Sequence, residues 1–326
     1  MNRTFKWTSA LAVIALTLSW LHNIQTRRFG LVNREKAIYA TYLSKPSETL
    51  NYLSEFHNSS DPYFDAARIL TYQVLHAPET RTRLDIEFVI FVHENVDPEK
   101  KDRLRRDGAH LIEWKDFSVD WVRPKDARWT HIMTKLRLWQ MVQYDLVLFL
   151  DVDTVLSRPL DDIFSAPEIY SRAPVLSQSH HHEIDVPPPG SYFIAGLPQL
   201  RTNHSAHPSR VPEDFWDWFT INSGFMVLKP SLDVFRYFEA VLKVTNSFDG
   251  SIGDQSVLNH VFSPFGPMPW VKLNLTWNIQ WPCPEDIRSG AYASFHEKWW
   301  AQMHWETNAY FLSWYWRMVG YYDSIE

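Results

Sequence analysis

The sequence predicts an α/β fold on a mostly parallel, mixed sheet of the nucleotide-binding kind, and three observations carry that reading. Strand-like and helix-like stretches alternate from residue 35 to residue 114 in a β-α-β-α-β order. At 148–156, LFLDVDTVL, an apolar run enters an Asp-Val-Asp triplet, as a strand buried on both faces would. A further run at 221–228, INSGFMVL, restores regular structure after a long polar stretch.

Each element follows from local signals. AIYATYL, before Ser-Lys-Pro, reads as the first strand and its breaker. Asp61-Pro62 opens a helix whose apolar residues recur at helical spacing until Pro78. EFVIFVH at 87–93 is the next strand. Asp97-Pro98 starts a charged helix closed by Gly108, and 110–114 is the third strand. Residues 128–144 read as a helix with Ile132, Leu136, Trp139 and Val142 on its apolar face. A short helical turn follows Pro159. Residues 165–220 change in composition and read as an insertion within a single domain spanning 31–326. Long loops of this kind are functional lids or disordered segments. The run His180-His181-His182 lies there, but sequence neighbours seldom converge on one ion. Helices are expected from Ser231 to about Thr245 and from Gly253-Asp254-Gln255 onward. Residues 267–281 are aromatic and β-like, 291–296 read as a last strand, and 302–322 as a helix packed on the domain, with a membrane-surface helix as the rival reading.

Composition narrows the function. The 326 residues carry a net charge of −6, which leaves no electrostatic footprint for nucleic acid. The lone Cys283 excludes an intrachain disulfide framework and a thiolate zinc site. Sixteen Trp residues suit sugar faces as well as cores. Residues 7–26 carry no formal charge and, at ~1.5 Å per residue, are long enough to cross a ~30 Å hydrocarbon layer. We therefore expect residues 1–30 to form a short cytosolic tail and a signal-anchor helix. A cleaved signal peptide is the alternative, although no small-residue cleavage site follows. Sequons at Asn58, Asn203 and Asn274 favour a type II membrane protein with a lumenal body over a cytoplasmic one.

The chemistry concentrates at the triplet. Asp151 and Asp153 sit at the C-terminal edge of a sheet strand, where open α/β sheets bind ligands. Two hard oxygen ligands there suit Mn²⁺ or Mg²⁺ with positions left for phosphate oxygens. A turn or helix cap is the plain alternative for an isolated Asp pair.

Several stretches together resemble the glycogenin-like retaining glycosyltransferases, glycosyltransferase family 8. The densest is TKLRLWQMVQYDLVLFLDVDTVLSRPLDDIF at 134–164, which resembles the family's Thr-Lys-Leu, Asp-x-Asp and Leu-Asp-x-x-Phe pattern without a gap. INSGFMVLKPS resembles its Asn-Ser/Ala-Gly strand, and GDQSVLN its Gly-Asp-Gln helix start. The resemblance runs over roughly 36–300, with the middle insertion outside it. It implies a GT-A type fold and transfer of a sugar from a nucleotide sugar, expected to be a UDP-sugar, to a glycan or glycoprotein acceptor. For an anchored enzyme of this family, the Golgi membrane is the expected place. It implies metal ligands Asp151, Asp153 and His296, with His304 as a competitor. It implies donor binding by Tyr42, Lys135, Asp151, Asn222, Ser223, Asp254 and Gln255, with Gln255 and Asp254 as the catalytic candidates. Two departures stand out: Glu297-Lys298-Trp299 follows His296 directly, and Ser251 replaces a family acid, with Asp249 two positions before it.

Two rival readings remain at this level. The Asp-x-Asp run also resembles haloacid dehalogenase phosphatases, whose first Asp is a phosphorylated nucleophile. That reading wants an acid four residues after Asp254, where Leu258 stands. A non-catalytic nucleotide-sugar or glycan binding protein is the other; the presence of both Asp residues, Lys135 and Gln255 argues against it, and the altered His296 region keeps it open.

Overall fold

A computed structural model describes residues 36–44, 61–126, 129, 131–175, 184–205, 207, 212–301 and 304–326. The expected anchor at 1–30, the sequon at Asn58 and His180-His181-His182 lie outside them. No helix among the described residues is long and apolar enough to cross a membrane.

Strand β1 (Ala37–Leu43) is the hub of a seven-stranded sheet in which β2 (Glu87–His93) and β3 (His110–Trp114) extend to one side. On the other side lie β4 (Leu146–Leu150), β7 (Phe215–Leu228), β6 (Ile194–Leu200) and β8 (Val271–Lys272). Strands β1 to β4 pair in parallel, as do β6 and β8, while β7 runs antiparallel to β4 and β6. The chain thus works outward from β1 to β3, then restarts beyond β1 at β4. The C-terminal ends of β1 and β4 flank the switch point where such sheets bind ligands.

Both sheet faces are buried, which is why the strands are apolar at consecutive positions. Leu148 and Leu150 face one cluster, covered by helix α1 (Pro62–Leu75) and, after α2 (Pro98–Arg106), by the C-terminal helix. Val147 and Phe149 face the other, covered by a 3₁₀ helix (Ile132–Gln140), α3 (Leu232–Lys243) and α4 (Asp254–Val261). Local caps fix the ends. Asp61 accepts the Phe64 N–H at 3.1 Å, and Ser231 accepts that of Val234. Helix α5 (Pro284–Ser289) and the aromatic α6 (Trp305–Ile325) complete the chain. Phe311, Trp314, Met318 and Tyr322 of α6 are buried, so the tail packs on the domain.

Three local readings change. The helix over 128–144 is a 3₁₀ helix ending at Gln140, so Val142 falls beyond it and is exposed. The stretch 148–156 is not one strand. It leaves β4 at Leu150, turns with Thr154 N–H donating to Asp151 C=O, and enters β5 (Thr154–Leu156) of a second sheet. That sheet, β5-β10-β9, contains β9 (Ile279–Gln280) and β10 (Ser294–His296). Finally, β6 and the first half of β7 lie in the stretch read as a long loop.

Candidate active site

The Asp-Val-Asp turn passes from one sheet to the other, and each sheet brings partners to it. Val152 is buried and anchors the turn, while Asp151 N–H donates to Gly224 C=O on β7 at 2.8 Å. On the small sheet, antiparallel pairing places His296 opposite Thr154, and Glu297 N–H donates to Asp153 C=O. Buried Gln73 of α1 holds β5 in place, its amide exchanging two hydrogen bonds with the Leu156 backbone at 2.8 and 2.9 Å.

The result is a cluster of hard ligands. One ligand atom each from Asp151, Asp153 and His296 lies within 4.8 Å of the others. His296 Nε2 stands 3.2 Å from Asp153 and 3.8 Å from Asp151. Burial opposes charge on both His296 and Asp153. Even so, Lys298 and His296 hold the Asp153 carboxyl well below its usual range, and Asp153 then Asp151 raise the imidazole. The donor set, two carboxylates and one imidazole crowded together, fits a divalent cation. His304 is exposed at the start of α6 and stands outside the cluster, so the geometry chooses His296.

Gly224 explains the glycine of the Asn-Ser-Gly strand. A Cβ there would run into His296 Cε1 and come to 2.8 Å from Asp151 Oδ2. The backbone of β7 therefore forms the site's floor at closest approach. Gly253, before α4, adopts φ +61°, and a Cβ would stand 2.5 Å from Ile132.

Behind the carboxylates, Lys135 is 3% exposed and lies 3.2 Å from Asp151, 3.1 Å from Asp254 and 3.3 Å from Ser223 Oγ. Its ammonium is committed inward. Burial would lower its pKa, but Asp151 and Asp254 outweigh that and raise it. Asp254, 1% exposed and sharing this one cation with Asp151, is itself pushed up by burial. Gln255 is half-buried. Its carbonyl accepts Ser223 N–H at 3.1 Å and its amide donates to Gln199 at 3.1 Å. Asn222 also donates to Gln199, at 2.8 Å. Tyr42 is buried beside Trp114. It stands two residues past Ala40, whose β4 partner Phe149 stands two before Asp151, so it reaches the same sheet edge. Asp249 instead caps its own turn through Ser251.

The sequence reading missed three features. Gln199 joins Asn222 and Gln255 and is itself fixed by Gln280 at 2.8 Å, yet it sits in a strand interrupted by Gly196 and Pro198. Lys298, 3.0 Å from Asp153, supplies a counter-charge from the segment that departs from the family pattern. The third is a second imidazole-carboxylate group, His93, Asp116 and His131, at the ends of β2 and β3. Here hydrogen bonding decides against a metal. Asn95 N–H donates to His93 Nδ1 at 3.1 Å, so Nε2 carries the proton and donates to Asp116 at 2.9 Å. A protonated ring nitrogen has no lone pair for an ion.

The chain has similar sequences among known proteins. No protein-family model matches the chain. An uncharacterised protein of Schizosaccharomyces pombe is 27% identical over 259 residues, 70% of this chain and 65% of its own length. Glycogenin-2 of Saccharomyces cerevisiae is 30% identical over 207 residues, 60% of this chain and 42% of its own length. Over those residues the chain is similar to glycogenin. It spans about two thirds, or less, of the length of these relatives. Among solved structures, the galactosyltransferase LgtC in complex with donor and acceptor sugar analogs overlaps 86% of this chain and 95% of its own. Its identity is 12% and its TM-score 0.49, too slight a likeness to bear on the chemistry.

Proposed function

We propose that the protein is a metal-dependent retaining glycosyltransferase that moves a sugar from a UDP-sugar to a glycan or glycoconjugate. The observation that carries this reading is the convergence of Asp151, Asp153 and His296 at the end of β4, backed by Lys135 and Asp254. When bound, a Mn²⁺ or Mg²⁺ ion there supplies a Lewis acid for the departing diphosphate. Asp151, Asp153 and His296 hold it. Lys135 balances Asp151 and Asp254, keeping the carboxylates of β4 and α4 at fixed separation. Asn222, Ser223 and Gln255 line the wall on which the donor sugar rests, with Tyr42 at the other end of the nucleotide crevice.

Buried and ion-paired, Asp254 is a poor nucleophile for a covalent intermediate. Gln255 Oε1 already accepts one N–H and keeps one lone pair for positive charge on the sugar. Front-face transfer fits these residues. The acceptor oxygen bonds the anomeric carbon from the leaving-group side as the bond to the diphosphate oxygen breaks, and that oxygen takes the acceptor's proton.

The test is UDP release from a panel of UDP-sugars with and without Mn²⁺. Release should need the ion and vanish in Asp151→Asn and Asp153→Asn. A sugar adduct on Asp254 by intact mass would overturn the front-face step, and turnover of either variant at near wild-type rate would overturn the assignment. We also infer a lumenal catalytic body, supported by the exposure of Asn203 and Asn274. Glycosidase treatment of protein from its native host should then increase its mobility, and an unchanged mobility would count against a lumenal body.

A further inference from the structure

Strand β7 is longer than its place in the main sheet requires. Residues Phe225 to Leu228 pair with β4, whereas Phe215 to Asn222 pair only with β6. Since β7 runs antiparallel to β4, this ribbon projects past the end of β4, beside the carboxylates. Its free edge is closed by side chains rather than by another strand. The Asn259 amide exchanges hydrogen bonds with Ile221 N–H and C=O at 2.7 and 3.1 Å, and Trp270 Nε1 donates to Phe219 C=O at 3.0 Å. The ribbon is thus a fixed wall and not an open edge for strand addition.

That wall carries aromatic surface that folding leaves in water. Phe219 is 43% exposed and Phe265 is 68% exposed, with ring centroids 5.1 Å apart. Between Phe219 and the core lies Lys272, its ammonium 4.2 Å from the Trp218 ring centroid, 5.1 Å from that of Phe219 and 5.7 Å from that of Trp270. Among the described residues the Lys272 ammonium makes no ion pair and no hydrogen bond; its charge rests on the rings, with the Asp217 carboxylate acting on it from further off. Two adjacent phenylalanines left in water form contiguous exposed apolar surface, the kind that marks a binding site.

Position and chemistry identify the occupant. Phe219 stands three residues from Asn222, no more than about 10 Å along a strand. A sugar bound next to the reacting centre is amphipathic, with a C–H face that suits aromatic rings and a hydroxyl rim that suits an ammonium. We propose that Phe219, Phe265 and Lys272 form an acceptor subsite that stacks a pyranose ring of the glycan and fixes its rim through the Lys272 ammonium. This rests on the transferase reading for its placement beside the donor site, but the sugar-binding surface can be measured separately.

The experiment is calorimetric titration of the full chain with p-nitrophenyl glycosides of the common hexoses and pentoses and of their disaccharides. A parallel titration uses UDP with Mn²⁺. We expect at least one disaccharide probe to bind the wild type, to lose tenfold or more in affinity in the Phe219→Ala/Phe265→Ala variant, and to weaken in Lys272→Met. UDP–Mn²⁺ affinity should stay unchanged in both variants. The subsite is overturned if no probe binds the wild type, or if a probe binds all three proteins equally. Failure of UDP–Mn²⁺ to bind the wild type would sink the transferase reading instead, while a glycan-binding surface would stand or fall on the first titration.

Discussion

Two imidazole-carboxylate groups lie at the same edge of the main sheet, and they differ in where their second ring nitrogens go. In the first, His296 turns Nε2 toward Asp151 and Asp153, while its buried Nδ1 has no partner among the described residues. In the second, His93 Nδ1 is filled by Asn95 N–H, and His131 Nδ1 lies 2.8 Å from both oxygens of Asp116. Spacing is alike but composition is not: the first group holds two carboxylates and one imidazole, the second one carboxylate and two imidazoles, and only the first can present a lone pair and two carboxylates to one ion. The lesson is that the tautomer imposed by neighbouring backbone, together with the number of carboxylates, separates a metal centre from a hydrogen-bonded post.

The largest effect should come from exchanging the two groups' acids. Asp153→Asn should lower donor turnover about a thousand-fold or more, because it removes charge stabilisation where the leaving group forms. Asp116→Asn should change it by less than the roughly tenfold at which loss of a partner holding a metal ligand begins to tell, because Asp116 holds none. Steady-state UDP release checks both, and equal losses would erase the distinction. Next in size is Gly224→Ala. Its Cβ displaces His296 or Asp151, so a loss of about a hundred-fold in turnover is expected with the melting temperature nearly kept. A crystal structure of that variant with His296 and Asp151 both unmoved would refute the steric account.

The smallest effect concerns Glu297, beside His296. It is 2% exposed; burial pushes its carboxyl from 4.5 up to about 7, with Lys298 opposing. The folded state therefore holds its proton to higher pH than the unfolded chain. The associated stability is fully present below about pH 4.5 and is lost as pH rises through about 7, to a total of about 3 kcal/mol. In chelator, the stability of the wild type relative to Glu297→Gln should fall by that amount between pH 4.5 and 8. A difference that does not change with pH would show that Glu297 is not held protonated.

Much of this was legible in the residues, for reasons that also explain the rest. Strands β1, β2 and β4 are buried on both faces and so read as apolar runs, and Asp61-Pro62 and Ser231 announce their helices. The convergence of Asp151, Asp153 and His296 followed from the family resemblance, whereas the exclusion of His304 needed the pairing of β10 with β5. Strand β6 stayed hidden because Gly196 and Pro198 signal breaks. In the fold, Gly196 lets Ile221 close in, and Pro198 sits beside register shifts where a missing N–H is tolerated. Gln199 was lost with it. The inward commitment of Lys135 was likewise out of reach, since no pattern tells whether an ammonium faces a ligand or a buried acid.

The most direct measurement is a titration of the metal-free protein with Mn²⁺ followed by electron paramagnetic resonance, in the wild type, Asp153→Asn and Asp116→Asn. One ion per chain should bind the wild type and Asp116→Asn with similar affinity, and none should bind Asp153→Asn tightly. Two ions per chain, or one that survives Asp153→Asn and is lost in Asp116→Asn, would contradict the assignment of the site.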